Sequence, residues 1–312
     1  MVAVPPDHRG LRAPEVAVLV MLAAIWGASF LFIKVALRDV SPLAVVGTRL
    51  ALGAVGITGW LLLRRGPAAT RELLRGVRLP DALVLAVTAS AVPFMLIAWA
   101  ETRITSSLAG ILNATVPLFT AALAYRVDPR NRIRGWRALG LLIGCAGVAL
   151  VAGTDVGGSA LGVVAMLGAG LCYAISTHFA KHRFDHVEPV GVALVQTVTS
   201  AAIMVPLALL LARPERAPTA DAIWSLLALG LGGTALAWCL YYWLVAKAGP
   251  QHAVAVTYLV PISAVLYGSV LLDEHIGLST LLGMVVILAG EVVVATPARR
   301  RVAAEPLPET VS

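Results

Sequence analysis

The feature that most constrains this chain is a pair of apolar segments, each about long enough to cross a membrane and each with a proline inside it. Residues 107–126 contain Asn113 and Pro117, and residues 251–272 repeat the arrangement 144 positions later, with Pro261 in the matching place. A proline inside a membrane helix frees a backbone carbonyl that neighbours or a cavity must satisfy. We therefore predict helix breaks at both prolines. Paired breaks are typical of a transport site, although two structural kinks would leave the same pattern.

The composition excludes a soluble globular fold. Of the 312 residues, 59% are hydrophobic and 13% are charged, with a mean hydropathy of +0.87. So few charged residues could not cover the surface of a soluble domain of this length. We therefore predict an all-α polytopic membrane protein. Ten apolar segments have lengths near the ~20 residues that a bilayer requires. The predicted transmembrane helices, named spans one to ten, are residues 16–37, 42–63, 81–100, 107–126, 134–152, 159–180, 189–212, 221–246, 251–272 and 278–296.

The positions of the basic residues predict the orientation. If the N-terminus lies in the cytoplasm, the inside segments hold 18 of the 24 Lys and Arg residues and the outside loops hold 4. Excess positive charge is typical of cytoplasmic loops. We therefore predict a multi-pass protein of the cell (cytoplasmic) membrane with both termini in the cytoplasm. The net charge of +7 then reflects topology, and we expect no nucleic-acid partner.

No motif indicates a cofactor or a metal. The chain has no phosphate-binding glycine–lysine loop, which argues against ATP as the energy source, and no metal-ligand spacing. Its three cysteines, Cys145, Cys172 and Cys239, lie inside apolar segments and are typical of small packing residues. We expect no cofactor, and we predict that the protein is not an enzyme.

The ten spans divide into two matching sets of five. Trp26 and Lys34 match Tyr173 and Lys181 at an offset of 147, and spans three and four match eight and nine at 144. Because five is odd, the second set begins on the opposite side of the membrane, which makes the repeats inverted. The predicted parts are a cytoplasmic N-terminal tail, two five-helix repeats and a cytoplasmic C-terminal tail: residues 1–15, 16–152, 159–296 and 297–312.

Several of these segments resemble a known family. The stretches WGASFLFIK, SPLAVVGTRLALG, VPLFTAALAYR and GLLIGCAGVAL in the first half, and VPISAVLYGSVLLDEHIGLSTLLGMVVILAG in the second, resemble the EamA-type repeat of the drug/metabolite transporter superfamily. The resemblance covers residues 16–296. It implies a secondary transporter, with export of amino acids or related small metabolites as the first expectation. The superfamily also holds sugar, nucleotide-sugar, nucleobase and drug carriers, so the substrate class stays open.

Polar and aromatic groups in the middle of spans are the candidate substrate site, because polar side chains are costly inside a bilayer. Inverted symmetry places Asn113 across a midplane cavity from Thr257 and Tyr258. Trp26 and Tyr173 lie far from the interfacial belt where aromatic residues usually settle. An interhelical hydrogen bond for Asn113 and simple packing for the aromatic residues are the structural alternatives. The candidate substrate-binding residues are Trp26, Ser29, Asn113, Tyr173, Ser176, Thr257 and Tyr258.

Trp99 and Trp243 occupy matching positions at opposite ends of spans three and eight. They are candidates for gating residues, one at each end of the pathway. Anchoring in the interfacial belt is the common alternative for tryptophan at a span end.

Three charged residues within spans are candidates for coupling or charge pairing. Glu291 is the carboxylate that lies well inside a span, and burial disfavours the charged form of a carboxyl, which suits a proton carrier; it could equally pair with Arg49. Lys34 can reach the interface, with Asp39 as a partner, or bind a substrate carboxylate or phosphate.

The expected partners are a small-molecule substrate and the lipid bilayer, with protons as the candidate coupling ion. The oligomeric state is left open between monomer and homodimer. The alternative from another class is an integral membrane enzyme acting on lipid-linked substrates. Its catalytic groups would have to cluster at one face, and the nearest such cluster is Asp273, Glu274 and His275.

Overall fold

The computed structural model describes residues 11–127, 136–154, 160–212 and 217–296. Within these ranges every regular element is helical, and ten helices are long and apolar enough to cross a membrane. This confirms the predicted fold class. The helices are α1 (Ala13–Ala36), α2 (Pro42–Glu72), α3 (Leu79–Ala86), α4 (Val92–Glu101), α5 (Ser106–Asn113), α6 (Val116–Val127), α7 (Trp136–Thr154), α8 (Ala160–Arg183), α9 (Pro189–Leu211), α10 (Ala220–Leu227), α11 (Ala237–Ala248), α12 (Pro250–Val254), α13 (Val256–Leu271) and α14 (Leu278–Ala295).

Four of the spans are not continuous α-helices. Span three is α3 and α4 joined by the π-helical segment Val87–Ala91, and span eight is α10 and α11 joined by the π-helical segment Ala228–Leu236. Span four is α5 followed by α6, and span nine is α12 followed by α13. Because these spans match one another in the two repeats, both kinds of irregularity occur once in each repeat.

Some helix ends differ from the predicted ones. Helix α1 begins three residues early, because Pro14 is tolerated in a first turn and the Glu15 carboxylate accepts a hydrogen bond from the Arg12 amide at 2.8 Å. The end of the predicted N-terminal tail therefore belongs to α1. Helix α2 runs to Glu72 through a kink at Gly66, whose φ of 77° favours glycine. Residues 1–10 of the predicted N-terminal tail, the whole predicted C-terminal tail and the predicted starts of spans five and six lie outside the described residues.

The break in span four lies just before its proline. The amides of Ala114 and Thr115 bond to carbonyls three residues back, at 3.1 and 3.0 Å, which tightens the chain into a short 3₁₀ turn. Pro117 then stands second in α6, where no backbone N–H is needed.

The break in span nine does not lie at its proline. It falls at Ala255, whose amide bonds to the His252 carbonyl at 3.1 Å, and Pro261 lies inside α13. The prediction of a helix break at Pro261 is therefore wrong. Because proline has no backbone N–H, only one helical hydrogen bond is lost, the one that the Thr257 carbonyl would accept. The other hydrogen bonds of α13 can still form, so the helix continues past Pro261.

Helix contacts follow the repeat. Helix α1 packs against α13, and its match α8 packs against α5 and α6; α2 packs against its own match α9, and α7 against its match α14. Spans one, four and nine approach closely, because a Cβ atom on Gly27 would collide with Ser263 and one on Gly110 with Ala264. The centre of the molecule is therefore formed by helices of both repeats.

Polar contacts between helix ends define two faces. On the Lys34 face, the Lys34 ammonium bonds to the Glu101 carbonyl at 2.6 Å, so spans one and three both end there. On the Lys181 face, Arg183 at the end of span six pairs with Asp81 at the start of span three, at 3.0 Å. Spans one and six, which match in sequence, thus run in opposite directions, as inverted repeats require.

Candidate functional site

Four aromatic rings meet between the repeats. The Trp26 ring of α1 lies 5.9 Å from Trp238 and 5.7 Å from Tyr241, both on α11, and the Trp238 ring stacks on Tyr242 at 5.6 Å with an interplanar angle of 18°. All four side chains are half-buried. These separations are typical of favourable aromatic pairs. We call Trp26, Trp238, Tyr241 and Tyr242 the aromatic cluster.

Only Trp26 of this cluster was among the predicted site residues. The signal for the others lies in their spacing, because Trp238, Tyr241 and Tyr242 stand at i, i+3 and i+4 on α11 and so share one helical face. Phe94 stands 144 positions before Trp238, at the matching place in the first repeat. It too was absent from the predicted site residues. That these rings of span eight meet Trp26 could not be known without the packing of span one against span eight.

Arg49 is buried between the repeats and is held by two neighbours. Its Nε donates to the Thr234 hydroxyl at 3.1 Å, and its guanidinium lies 4.0 Å from the centre of the Phe94 ring. The Tyr173 hydroxyl is close enough to interact with it electrostatically. Arg49 is thus satisfied by the second repeat and by span three.

Glu291 does not pair with Arg49. Both of its carboxylate oxygens are buried and have no hydrogen-bond partner among the described residues. Its electrostatic neighbour is Tyr258 of α13. The proposed pairing of Glu291 with Arg49 is therefore wrong. Helix α14, which carries Glu291, packs against α6 and α7, whereas Arg49 of α2 bonds to Thr234.

The hydroxyl groups of three predicted residues bond within their own spans. The hydroxyl of Ser29 donates to the Ile25 carbonyl at 3.3 Å, that of Ser176 to the Tyr173 carbonyl at 2.9 Å, and that of Thr257 to the Val254 carbonyl at 2.8 Å. Such local bonds are usual for hydroxyls in helices. Their oxygen atoms keep free lone pairs that could accept a further hydrogen bond.

Asn113 is a polar group that the fold leaves available for binding. It is half-buried at the last position of α5, directly before the break in span four. No hydrogen bond of its amide is found in the described part of the chain. Its role in binding, like that of the other predicted substrate residues, stays a prediction.

The two predicted gating residues differ in their surroundings. The Arg103 guanidinium covers the Trp99 ring at 3.6 Å from its centre, whereas Trp243 is 38% exposed. Both stand near span ends, so gating and anchoring at the interface stay open for them.

Lys34 is bonded to backbone rather than to Asp39. Its ammonium donates to the carbonyls of Glu101 at 2.6 Å and Ile104 at 2.7 Å. Asp39 instead accepts from the Thr219 amide at 3.0 Å. The suggested Lys34–Asp39 pair is therefore wrong, because Lys34 meets the end of span three and Asp39 meets the start of span eight.

Glu274 also makes structural hydrogen bonds. Its carboxylate accepts from the Ser106 amide at 2.7 Å, the Ser107 amide at 2.9 Å and the Ser107 hydroxyl at 2.6 Å, which places it at the N-terminus of α5. Among the described residues no group of His, Cys, Asp and Glu could hold a metal ion. The acidic loop therefore offers little support for catalysis on lipid-linked substrates.

Two cavities open on the Lys181 face, with volumes of about 440 and 230 Å³. The larger is lined by residues that include the ion pairs Arg65–Glu188 at 2.8 Å and Arg75–Glu72 at 3.0 Å. These charges are exposed and already paired. The cavities lie between helix ends and the turns that follow them, and none of the predicted site residues lines them.

The chain matches a known family along both halves. The pattern of the EamA-like transporter family matches residues 14–153 and again residues 160–296. The chain is 23% identical over 277 residues to the "Uncharacterized transporter YoaV" of Bacillus subtilis (strain 168), which covers 87% of this chain and 93% of the relative. It is 24% identical over 282 residues to the "Uncharacterized inner membrane transporter YedA" of Escherichia coli (strain K12), covering 90% of each chain.

A crystal structure of another protein shares the fold. It matches with a TM-score of 0.65 at 18% identity and covers 91% of this chain and 96% of the other. At this identity the likeness concerns the fold alone. The two matches to the family pattern together span most of the chain, one on each five-helix set. This protein therefore belongs to the EamA-like transporter family.

Proposed function

We propose that the protein is a secondary active transporter that exports an amino acid or a related small metabolite by alternating access. The observation that carries this proposal is the meeting of Trp26 of the first repeat with Trp238 and Tyr241 of the second, near the middle of span one. A binding site shared by two inverted repeats can open to either side when the repeats exchange conformations. The family supports transport, and the geometry supports the position of the site.

The chemistry of the groups between the repeats suits a zwitterion. The faces of Trp26, Trp238 and Tyr241 attract an ammonium group. Helices α6 and α13 begin inside the membrane at the breaks of spans four and nine, and the positive end of a helix dipole favours a carboxylate. Asn113, beside the first break, adds an amide donor.

Two sources of energy fit this proposal. A gradient of the substrate itself would drive export without a coupling ion. A proton gradient would need a titratable group, for which the buried and unpartnered Glu291 beside Tyr258 is our candidate. Relatives described as inner membrane transporters and the distribution of basic residues support a location in the cell membrane with both termini in the cytoplasm.

The test is substrate flux in proteoliposomes against amino acids, sugars, nucleobases and cationic drugs, with and without a pH gradient. We expect flux of an amino-acid-like substrate, with the apparent affinity about 3- to 30-fold weaker in Trp26→Ala and Asn113→Ala, because such contacts are worth about 0.5–2 kcal/mol. The matched control is Trp224→Ala, since Trp224 is 69% exposed on α10. Glu291→Gln should abolish the effect of the pH gradient.

Flux of another substrate class only would contradict the amino-acid proposal but not transport. Equal losses of affinity in Trp26→Ala and Trp224→Ala would remove the aromatic cluster from the binding site. Accumulation driven by the pH gradient in Glu291→Gln would exclude Glu291 as the obligatory proton carrier.

A further inference from the structure

The turn between α4 and α5 is held at both ends by charged side chains from other parts of the chain. Lys34 of α1 donates to the carbonyls of Glu101 and Ile104, at 2.6 and 2.7 Å, where α4 ends. Glu274, from the loop before α14, accepts from the amides of Ser106 and Ser107 at 2.7 and 2.9 Å, where α5 begins. A cation thus meets a helix C-terminus and an anion meets a helix N-terminus, which is the favourable sign at each end.

These contacts close the Lys34 face. Glu101 and Ser106 are 0% exposed. Helix α5 packs against α1, α4, α8 and α13, and so joins both repeats. Gly110 of α5 lies against Ala264 of α13 so tightly that a Cβ atom there would collide. The end of α4 and the start of α5 are therefore buried at this face and packed against both repeats.

No bond joins the corresponding positions on the Lys181 face in the described part of the chain. Lys181 matches Lys34, and Val245 and Ala248 match Glu101 and Ile104. Lys181 is exposed and makes no described contact, and the Ala248 carbonyl is instead bonded to His252 Nδ1 at 2.7 Å. Val254, the match of the tightly packed Gly110, is 41% exposed.

The packing of the matched helices shows the same asymmetry. Helix α12 packs mainly against α11 and α13, its neighbours in sequence, and meets the first repeat where Ala253 is buried in one cluster with Leu19 of α1. The matching helix α5 packs more extensively against helices of both repeats. The Lys34 face is therefore packed more closely than the Lys181 face.

We propose that Lys34 and Lys181 are alternating latches: Lys34 closes one face by bonding the end of α4, and Lys181 closes the other by bonding the carbonyls of Val245 and Ala248 at the end of α11. The inference rests on the proposed alternating access and names the residues that hold each state. His252 occupies the Ala248 carbonyl in the present state and releases it in the other.

The Glu101 side chain gives the Lys34 latch a means of release. Both of its carboxylate oxygens are buried without a hydrogen-bond partner in the described part of the chain. A buried polar group without a partner destabilises the conformation that buries it. Opening of the Lys34 face exposes Glu101 to water, so this side chain opposes the closure that Lys34 and Glu274 favour.

The test measures how fast a water-soluble maleimide reacts with a cysteine behind the latch. The reporter is Ser106→Cys in a chain whose Cys145, Cys172 and Cys239 are replaced by alanine, in lipid nanodiscs that leave both faces accessible. Ser106 is fully buried and its hydroxyl has no described partner, so the change is nearly isosteric. No substrate is required.

We expect Lys34→Met to raise the labelling rate about 10-fold, in line with the effect of a partly buried charge at a helix terminus. Lys34→Arg should keep the rate within about 2-fold of the parent, because a guanidinium still donates to two carbonyls. Glu274→Gln should raise the rate independently of Lys34. Glu101→Met should lower it, because an unpartnered polar group is removed.

The role of Lys181 is tested in the Lys34→Met background. Adding Lys181→Met should return the labelling rate towards the parent, because the conformation open at the Lys34 face loses its own latch. The matched control is Lys247→Met, an exposed lysine in the last turn of α11, which should leave the rate high.

An unchanged rate in both Lys34→Met and Glu274→Gln, in protein that elutes as a single folded species, would overturn the latch at the Lys34 face. Equal effects of Lys181→Met and Lys247→Met would overturn the role of Lys181. If labelling shifts as expected but no amino acid is transported, the latches stand and the proposed substrate class fails. If flux is found but labelling never shifts, transport stands and the latches fail.

Discussion

Arg49 shows how a single residue makes the two repeats chemically unequal. Its guanidinium stacks on Phe94 and bonds to Thr234. In the second repeat, Gln196 matches Arg49 and Trp238 matches Phe94. The second repeat therefore has a neutral amide in place of the cation and a larger aromatic ring in place of Phe94. The Gln196 amide nitrogen is buried and has no partner among the described residues. Inverted symmetry of the backbone therefore does not extend to the charge.

The stacking of Arg49 on Phe94 is expected to be energetically significant. A double-mutant cycle of Arg49→Met and Phe94→Leu should give a coupling free energy of about 1–2 kcal/mol, because a desolvated cation–π contact is worth about 2 kcal/mol. The measurement is the free energy of unfolding of the four proteins in mixed micelles.

The control cycle uses the matching positions of the other repeat, Gln196→Met and Trp238→Leu. Its coupling should stay below about 0.5 kcal/mol, since no cation is present. Similar coupling in both cycles would mean that general packing, rather than the guanidinium, links Arg49 to Phe94.

At the scale of helices, spans five and ten form a closely packed pair. A Cβ atom on Gly290 of α14 would lie 2.6 Å from the Gly144 amide nitrogen and 2.7 Å from the Gly140 carbonyl oxygen of α7. Inside a bilayer, small residues let helix backbones approach and gain packing contacts. The matching glycines of the two spans thus serve close helix packing.

Gly290→Ala is expected to destabilise this pair. The added methyl group meets backbone atoms, which cannot move aside as a flexible side chain can, so the free energy of unfolding should fall by about 1–3 kcal/mol. Thermal unfolding followed by size-exclusion chromatography measures the change. The matched control is Gly59→Ala in α2, where nothing lies within 4 Å and helix propensity alone should add up to about 1 kcal/mol. Equal behaviour of the two variants would argue against close packing of α7 on α14.

At the scale of the whole molecule, the hydrogen bonds at the two faces fix the direction of every span relative to the others. They do not say which face is cytoplasmic. The distribution of Lys and Arg predicts that the Lys181 face is the cytoplasmic one. The structure closed at the Lys34 face would then be open towards the cytoplasm.

This orientation is tested with single cysteines in a chain without other cysteines. In intact cells, a membrane-impermeant maleimide should label Thr102→Cys, which is exposed on the Lys34 face. It should label Asp185→Cys, exposed on the Lys181 face, only after permeabilisation. Labelling of Asp185→Cys in intact cells would reverse the assignment and, with it, the direction in which the present conformation opens.

Much of the architecture could be predicted from the sequence. Ten apolar segments, their division into matching sets of five and the resulting inversion all follow from segment length and periodic matching, because a bilayer demands a helix of nearly constant length. That the glycines of span five pack on those of span ten follows only from the structure, because small residues in a membrane helix indicate close packing but not the partner helix.

The partners of the buried polar groups were decided only by the tertiary structure. Lys34 bonds a carbonyl 67 positions away and Arg49 a hydroxyl 185 positions away, and no local pattern encodes such distances. The sequence singled out Trp26 but could not bring Trp238, Tyr241 and Tyr242 to it, because that requires the packing of α1 on α11. A side chain's type can be known from its own segment, whereas its partner depends on how helices from both repeats are placed against each other.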